Sequence, residues 1–264
     1  MNIIRYARLY AYFLQFSFSR AMEFRMDFWF RVVMDIFYYA MNVGFYKVLF
    51  TSTTLLAGWN EAQTMVFVAG FLVIDAINMT VFANNLWGLG DLINKGDLDY
   101  YLIRPVSSLF ILSLRDFAAN SFVNLIAAVG LLAWAISKYP PAQTVSGIAF
   151  FAVLIVIGSI LRFLVHISFL IPVFWIHSGR GLENVYYHLN RFVERPDKIY
   201  TGIVRVVLTT IVPFACIASF PARIFIDGFS LPLFAHFVAV TVAYFGFVVW
   251  FWTQGLKAYS SASS

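Results

Sequence analysis

Long apolar runs, separated only by short polar stretches, constrain most strongly how this chain can fold. Hydrophobic residues make up 61% of its 264 residues and charged residues only 12%, about half the charged fraction of an ordinary soluble domain. Because a chain of this composition cannot cover its surface with polar groups, we expect the lipid bilayer to be its solvent. Aromatic residues (19%) suit lipid-facing surfaces and interfacial belts.

Six apolar segments are close to, or longer than, the roughly 20 residues with which a helix crosses a bilayer. The fourth is too long for one straight crossing at about 1.5 Å per residue, so it must tilt, bend near Pro172 or project from the membrane. Within the fifth, Pro213 frees a backbone carbonyl that neighbouring helices must satisfy. The predicted spans are about 28–50, 65–89, 117–136, 145–176, 202–220 and 233–252.

An amphipathic helix is predicted before the first span, within an N-terminal elbow at 1–26. Its polar side chains recur at spacings of three and four and form one stripe. Basic residues on such a face suit an anionic inner leaflet. The helix is either a shallow anchor or an elbow that also contacts a cytoplasmic partner. The stripe consists of Arg5, Arg8, Tyr12, Gln15, Ser19 and Glu23.

The basic residues are distributed unevenly across the predicted membrane. With a cytoplasmic N-terminus, fourteen of the 18 Lys and Arg residues lie in the cytoplasm, three lie outside (Lys47, Lys138 and Arg223), and Arg162 lies within a span. This asymmetry predicts that both termini are cytoplasmic, and it explains the net charge of +5 without nucleic-acid binding. The cytoplasmic loops are then about 90–116 and 177–201, and the outer connections about 51–64, 137–144 and 221–232.

A short charged segment in the first cytoplasmic loop is the most informative for function. Gly96 can end one short helix, Asp97 can cap the next, and Pro105 stops that second helix. Aromatic and Arg side chains, here Tyr100 and Arg104, are frequent anchors of protein interfaces. The segment is either a docking surface for a soluble partner or a solvated loop helix.

Charges elsewhere are expected to pair along their own helices. In the second cytoplasmic loop, Glu194 has helical spacing to both Arg191 and Lys198. The loop is either a self-paired solvated helix or a second contact with a partner. In the first span, Asp35 lies one turn beyond Arg31 and is expected to pair with it near the inner interface.

Ionisable residues in the middle of spans are costly there and are candidate functional groups. Asp75 lies near the centre of the second span, with Asn78 three residues on. Arg162 and His166 lie one turn apart in the fourth. Three roles are open for Asp75 and Arg162: they form a structural ion pair, they line a translocation path, or they relay protons together with His166.

No enzyme constellation emerges from the sequence. The four histidines are dispersed, and there is no Gly-x-Ser-x-Gly motif. The single cysteine, Cys216, excludes an intrachain disulfide and a thiolate cluster. A phosphate loop requires Gly-Lys before Ser or Thr, and no Gly-Lys dipeptide occurs. We therefore expect no cofactor or metal in this chain, and energy from a partner or an ion gradient.

Three motifs resemble those of ABC-2-class ABC transporter permeases, most closely a branch often encoded as two permeases beside one ATPase. The second motif has Phe220 where tyrosine is usual, and the glycine often found after the third is absent. The resemblance covers the whole chain. The motifs are Gly96-Asp97-Leu98-Asp99 followed by Leu102-Ile103-Arg104-Pro105-Val106, Ile211-Val212-Pro213-Phe214 with Phe220-Pro221-Ala222, and the closing run at 251–261.

The resemblance implies one ABC-2-type transmembrane domain over 1–264, with an elbow helix and six spans, in an exporter of a prokaryotic inner membrane. A second copy or a homologous permease would complete the pathway. Two cytoplasmic ATPase subunits, which bind ATP and Mg, would dock on a coupling helix at about 97–103, within the loop 90–108. The implied contact residues are Gly96, Asp97, Asp99, Tyr100, Arg104 and Pro105.

Three other readings remain open from the residues alone. An ion-coupled secondary carrier would use Asp75, Arg162 and His166. A membrane scaffold would hold other proteins without flux, and a membrane-embedded enzyme would need a site that the sequence does not reveal. The aromatic spans suit lipids, hydrophobic peptides and drugs alike, so the expected substrate is amphipathic or hydrophobic.

Overall fold

The computed structural model describes residues 3–21, 25–140 and 143–259. Within these ranges the regular structure is helical and the one strand-like pairing is a bridge between Leu56 and Trp59, which confirms the all-α prediction. Parts of the predicted elbow (1–2 and 22–24) and the serines that close the third motif (260–264) lie outside the described residues. The helices are α1 (Ile3–Ala21), α2 (Arg25–Ser52), α3 (Glu61–Asn78), α4 (Asn84–Trp87), α5 (Leu89–Asn94), α6 (Asp99–Leu102), α7 (Ser108–Leu114), α8 (Ala119–Lys138), α9 (Val145–Leu170), α10 (Val173–Ile176), α11 (Gly179–Asn190), α12 (Gly202–Val206), α13 (Phe214–Ile226) and α14 (Leu231–Ala258).

Among the described residues, four helical runs are long and apolar enough to cross a membrane, and each coincides with a predicted span. The helix α2 is 28 residues long but is not among them, because its tyrosines, Asp35 and Lys47 lower its hydropathy. As predicted, the long fourth segment is interrupted at Pro172, between α9 and α10. The four runs are Glu61–Asn94, Ala119–Lys138, Val145–Ile176 and Leu231–Ala258.

The helix α3 lies at the centre of the bundle. A capping box starts it, in which Asn60 and Gln63 each satisfy the other's backbone N–H. Residues 64–76 are buried on all sides, which explains an apolar run with no polar face. A π-helical turn at Met79–Ala83 continues α3 into α4 and α5, so the whole run reaches the end of the bundle that carries α6.

The amphipathic helix α1 packs beside the start of α8. The backbone N–H of Phe117 donates to Ser17 Oγ (3.1 Å), and that of Ser107 donates to Tyr6 Oη (3.3 Å). Both donors belong to the segment between α6 and α8. The N-terminal helix is therefore joined to the loop that carries α6.

The predicted fifth crossing at 202–220 is not a straight helix. Two helical arms, α12 with a π-helical turn and then α13, meet at 90° around Pro213, which cannot continue a helix. The buried Asp197 carboxylate bonds both to Arg205 Nη2 (2.7 Å), near the start of the first arm, and to Arg223 Nη1 (2.9 Å), near the end of the second. One carboxylate thus ties both arms together, and the segment is a bent pair of helices, either a broken span or a re-entrant loop.

The segment 177–201, predicted as a cytoplasmic loop, does not lie at one end of the bundle. It begins beside α5, where a Cβ on Gly90 would lie only 2.8 Å from Gly179 Cα. It ends with Lys198 Nζ 5.6 Å from the centre of the Trp59 ring, in the connection between α2 and α3. Gly90 and Trp59 lie at opposite ends of the α3–α5 run, so α11 and the residues after it pass through the bundle.

Candidate functional site

The predicted coupling helix is a single turn, α6. Gly96, with φ of 81°, lies in the turn that follows α5, as expected of a glycine that ends a helix. The N-cap of α6 is Leu98, with no side-chain cap, so the predicted cap by Asp97 does not form. Leu98 is instead fully buried and packs α6 against the bundle. The helix is thereby fixed at one end of α5.

An aromatic and arginine cluster covers α6. The Arg104 guanidinium lies 4.5 Å from the centre of the Tyr100 ring, and Arg115 lies 4.6 Å from that of Tyr101. These cation–π contacts hold long side chains in fixed positions. Tyr100 is 61% exposed and Ile103 79%. An exposed surface of this kind, on a rigid base, is suited to bind another protein.

The C-terminal end of α14 reaches the same surface. The Trp252 indole N–H donates to Ser108 Oγ at the start of α7 (3.2 Å). Burial raises the pKa of the Tyr259 hydroxyl, and the neighbouring Asp99 carboxylate raises it further, so this tyrosine stays neutral. The last helix of the bundle is therefore in contact with the segment that carries α6.

A polar cavity of about 470 Å³ lies inside the bundle. Five helices or their extensions contribute to its wall: α2, α3, α8, α9 and the segment from α11 to Glu194. Carboxylates, guanidinium groups, amides and tyrosine rings dominate the lining, which is unusual for the interior of so apolar a chain. The lining residues are Asp35, Tyr38, Tyr39, Asp75, Ala76, Met79, Ser121, Asn124, Arg162, Tyr187, His188, Asn190, Arg191 and Glu194.

Asp75 and Arg162, paired in one reading of the sequence, do form a salt bridge across the cavity wall. Asp75 Oδ1 lies 2.5 Å from Arg162 Nη2, and both side chains are buried. Among the described residues, Nε and Nη1 of Arg162 have no hydrogen-bond partner. The guanidinium is thus only partly satisfied, which is costly in a buried site unless water or a ligand completes it.

The other two intramembrane candidates lie outside this cavity. His166 stacks flat on Tyr186, with ring centres 3.7 Å apart. Asn78 donates to the carbonyl oxygen of Ser159 (3.3 Å) and thereby ties α3 to α9. Both line an adjoining space of about 20 Å³, roughly the room for one water molecule, whose wall also includes Arg162. The structure therefore brings Asp75 and Arg162 together in the large cavity, and Arg162 also lines the smaller space with Asn78 and His166.

Sequence reasoning missed most of the cavity lining. Asp35, expected to pair with Arg31, instead accepts a hydrogen bond from Asn124 in α8. Asp35, Tyr38 and Tyr39 recur at helical spacing, a signal that could have marked α2 as a cavity wall. Glu194 lines the cavity too, whereas its predicted partner Lys198 forms a salt bridge with Asp227 (2.9 Å).

These features define a multi-pass membrane protein with a charged cavity among its helices and an exposed aromatic and arginine surface at one end. A family model described as ABC-2 family transporter protein matches residues 36–263, and the chain belongs to that family. The resemblance of its three motifs to ABC-2 permeases is thereby confirmed. Comparisons with curated proteins and with solved structures found no match.

Proposed function

We propose that this chain is the transmembrane permease subunit of an ATP-driven ABC exporter in the inner membrane of a prokaryote. Two cytoplasmic ATPase subunits bind ATP and Mg and dock on the surface around α6. A second copy of the chain, or a homologous permease, completes the pathway. ATP binding moves an amphipathic or hydrophobic substrate outward by shifting the spans between inward-open and outward-open states.

The observation that carries this proposal is a continuous set of contacts from the α6 surface to the cavity. Leu98 packs α6 on α5. In α5, Gly90 touches Gly179 at the start of α11, and Asn94 Nδ2 donates to the carbonyl oxygen of His177 (3.0 Å). The other end of α11 lines the cavity through Asn190. A displacement of α6 would therefore be transmitted to the cavity wall through the contacts of α5 with α11.

The proposed topology has six crossings with both termini in the cytoplasm. The helix α11 and the residues up to Pro196 make the fifth crossing, and α12 and α13 form a hairpin that re-enters from outside. This arrangement is supported by the contact of Lys198 with Trp59. In the fifth crossing, the polar side chains that line the cavity cost little in the membrane, because they do not face lipid.

Cysteine labelling tests this topology with a membrane-impermeant maleimide. Ile199→Cys (42% exposed) should label only from outside, and Ile103→Cys, on the α6 surface, only from the cytoplasmic side. The native Cys216 is fully buried, which keeps the background low. If both variants label from the same side, the fifth crossing is wrong.

Co-purification tests the exporter. The chain, expressed with its chromosomal neighbours, should bring down a stoichiometric ATPase. Arg104→Glu should uncouple ATP hydrolysis from transport, because it removes the cation that holds Tyr100. Lys95→Glu, in the same loop but outside that cluster, is the matched control and should behave as wild type. Wild-type transport by Arg104→Glu would contradict the role of α6.

A purified chain without any ATPase would refute the exporter. If that chain then transported substrate under a proton gradient, a secondary carrier built on Asp75 and Arg162 would take its place. A complex that assembles but moves nothing would identify a scaffold.

A further inference from the structure

A second cavity, of about 420 Å³, opens at the end of the bundle opposite α6. It lies between the end of α2, the start of α3 and the end of α8, at the level where two long helices leave the hydrocarbon. None of its lining residues belongs to the polar cavity already described. The residues used below are Lys47, Glu61, Met65, Trp134, Ala135 and Lys138.

The wall of this cavity carries more positive than negative charge. Lys47 and Lys138 both line it, with Glu61 as the one carboxylate in its wall. Within the described chain, neither lysine is within 4.0 Å of a carboxylate oxygen. Other basic residues that the proposed topology places at this end are paired: Lys198 with Asp227, and Arg205 and Arg223 with Asp197. Lys47 and Lys138, in contrast, line one cavity that is suited to an anion.

The rest of the lining suits a lipid more than a soluble anion. Trp134 lies at the mouth, with Lys47 Nζ 5.7 Å from its ring centre, and indole rings favour the headgroup region. Met65 and Ala135 are buried and form an apolar floor. A lysine in this position keeps its stem against apolar surface and its ammonium group among headgroups. The site combines two cations for a phosphate with an apolar wall for what is attached to it.

We propose that this cavity binds the phosphate headgroup of an anionic phospholipid from the surrounding leaflet. The two ammonium groups contact the phosphate, the indole lies beside the glycerol, and the acyl chains run along α2 and α8. Zwitterionic phospholipids carry the same phosphate, but their own ammonium group meets the lysines unfavourably. The site therefore selects net negative charge, as in phosphatidylglycerol.

Native mass spectrometry tests the proposal on the full chain, delipidated in mild detergent and given equal amounts of phosphatidylglycerol and phosphatidylcholine. The wild-type chain should retain phosphatidylglycerol preferentially. Lys47→Gln and Lys138→Gln should each weaken that retention about fivefold, the usual contribution of one lysine to an anionic membrane surface. Lys95→Gln, an exposed lysine near α6, is the matched control and should retain the lipid as wild type does.

Two results on the wild-type chain would overturn the proposal even if the variants failed to fold. One is equal retention of the two lipids. The other is displacement of phosphatidylglycerol by millimolar inorganic phosphate, which would identify a soluble anion as the ligand. Equal loss of the lipid in Lys95→Gln would also refute the site. The experiment needs neither ATPase nor transport, so its outcome is independent of the exporter proposal.

Discussion

Removing the Asp75 carboxylate is the sharpest perturbation of the polar cavity. The salt bridge to Arg162 is 2.5 Å long, and the two side chains are only 9% and 5% exposed. Asp75→Asn keeps the shape of the residue but leaves a buried guanidinium without a counter-ion. Breaking a buried pair in this way costs about 3–5 kcal/mol. For a chain of this size, that loss corresponds to a fall in Tm of about 6–20 °C.

Removing both partners should have the opposite effect. Asp75→Leu combined with Arg162→Met replaces the pair with apolar side chains of similar volume, and such replacements are roughly neutral or stabilising. We therefore expect the double variant to be at least as stable as wild type, while each single variant is much less stable. Asp91→Asn, an exposed carboxylate on the same helical run, is the control and should change stability by less than about 0.5 kcal/mol.

The assay combines thermal unfolding in detergent with ATP-driven transport in proteoliposomes. A double variant that regains stability and transport would make the pair structural. A double variant that regains stability but not transport would place the charges in the translocation path. If Asp75→Asn is as stable as wild type, or the double variant is no better than the singles, the argument from a buried pair is refuted.

Two further predictions concern backbone contact and the hairpin. Gly90→Val should destabilise the chain by about 1–3 kcal/mol, because its Cβ would lie 2.8 Å from Gly179 Cα. The control is Gly130→Val, where a Cβ meets nothing within 4 Å, and it should not destabilise the chain in this way. Equal falls in Tm for the two variants would contradict the clash. Asp197→Asn should speed hydrogen exchange in α12 and α13, since two arginines lose their shared carboxylate; unchanged exchange would show that the hairpin is held elsewhere.

The sequence predicts best where one physical term dominates. In α3, α8, α9 and α14, hydropathy alone exceeds what any soluble helix needs, so their existence follows from composition. The amphipathic stripe of α1 is equally easy to predict, because it depends only on helical spacing. The α6 surface was also predictable, since Gly96 and Pro105 bound it and its aromatic residues lie between charges.

Prediction fails where a helix is stabilised by what it faces. The segment from Gly179 to Glu194 is too polar to be read as a crossing, and its Arg and Glu residues have the spacing of a solvated helix. The polar groups of its second half, from Tyr187 to Glu194, instead line a cavity shared with four other helices, which one sequence does not reveal. In the same way, Pro213 predicts a break in the helix, but the direction of α13 after the break depends on Asp197, a residue outside both arms.

The polar character of α11 bears directly on how such a permease would move. The helices α3 and α9, which carry Asp75 and Arg162, are buried in the centre and fixed by close contacts. In contrast, α11 has one buried residue, Tyr186, and it touches α5 through glycine backbone. Elements with few buried apolar contacts open at the lowest free-energy cost. A stroke at α6 is therefore expected to displace α11 first, changing the cavity on that side while the Asp75–Arg162 wall stays in place.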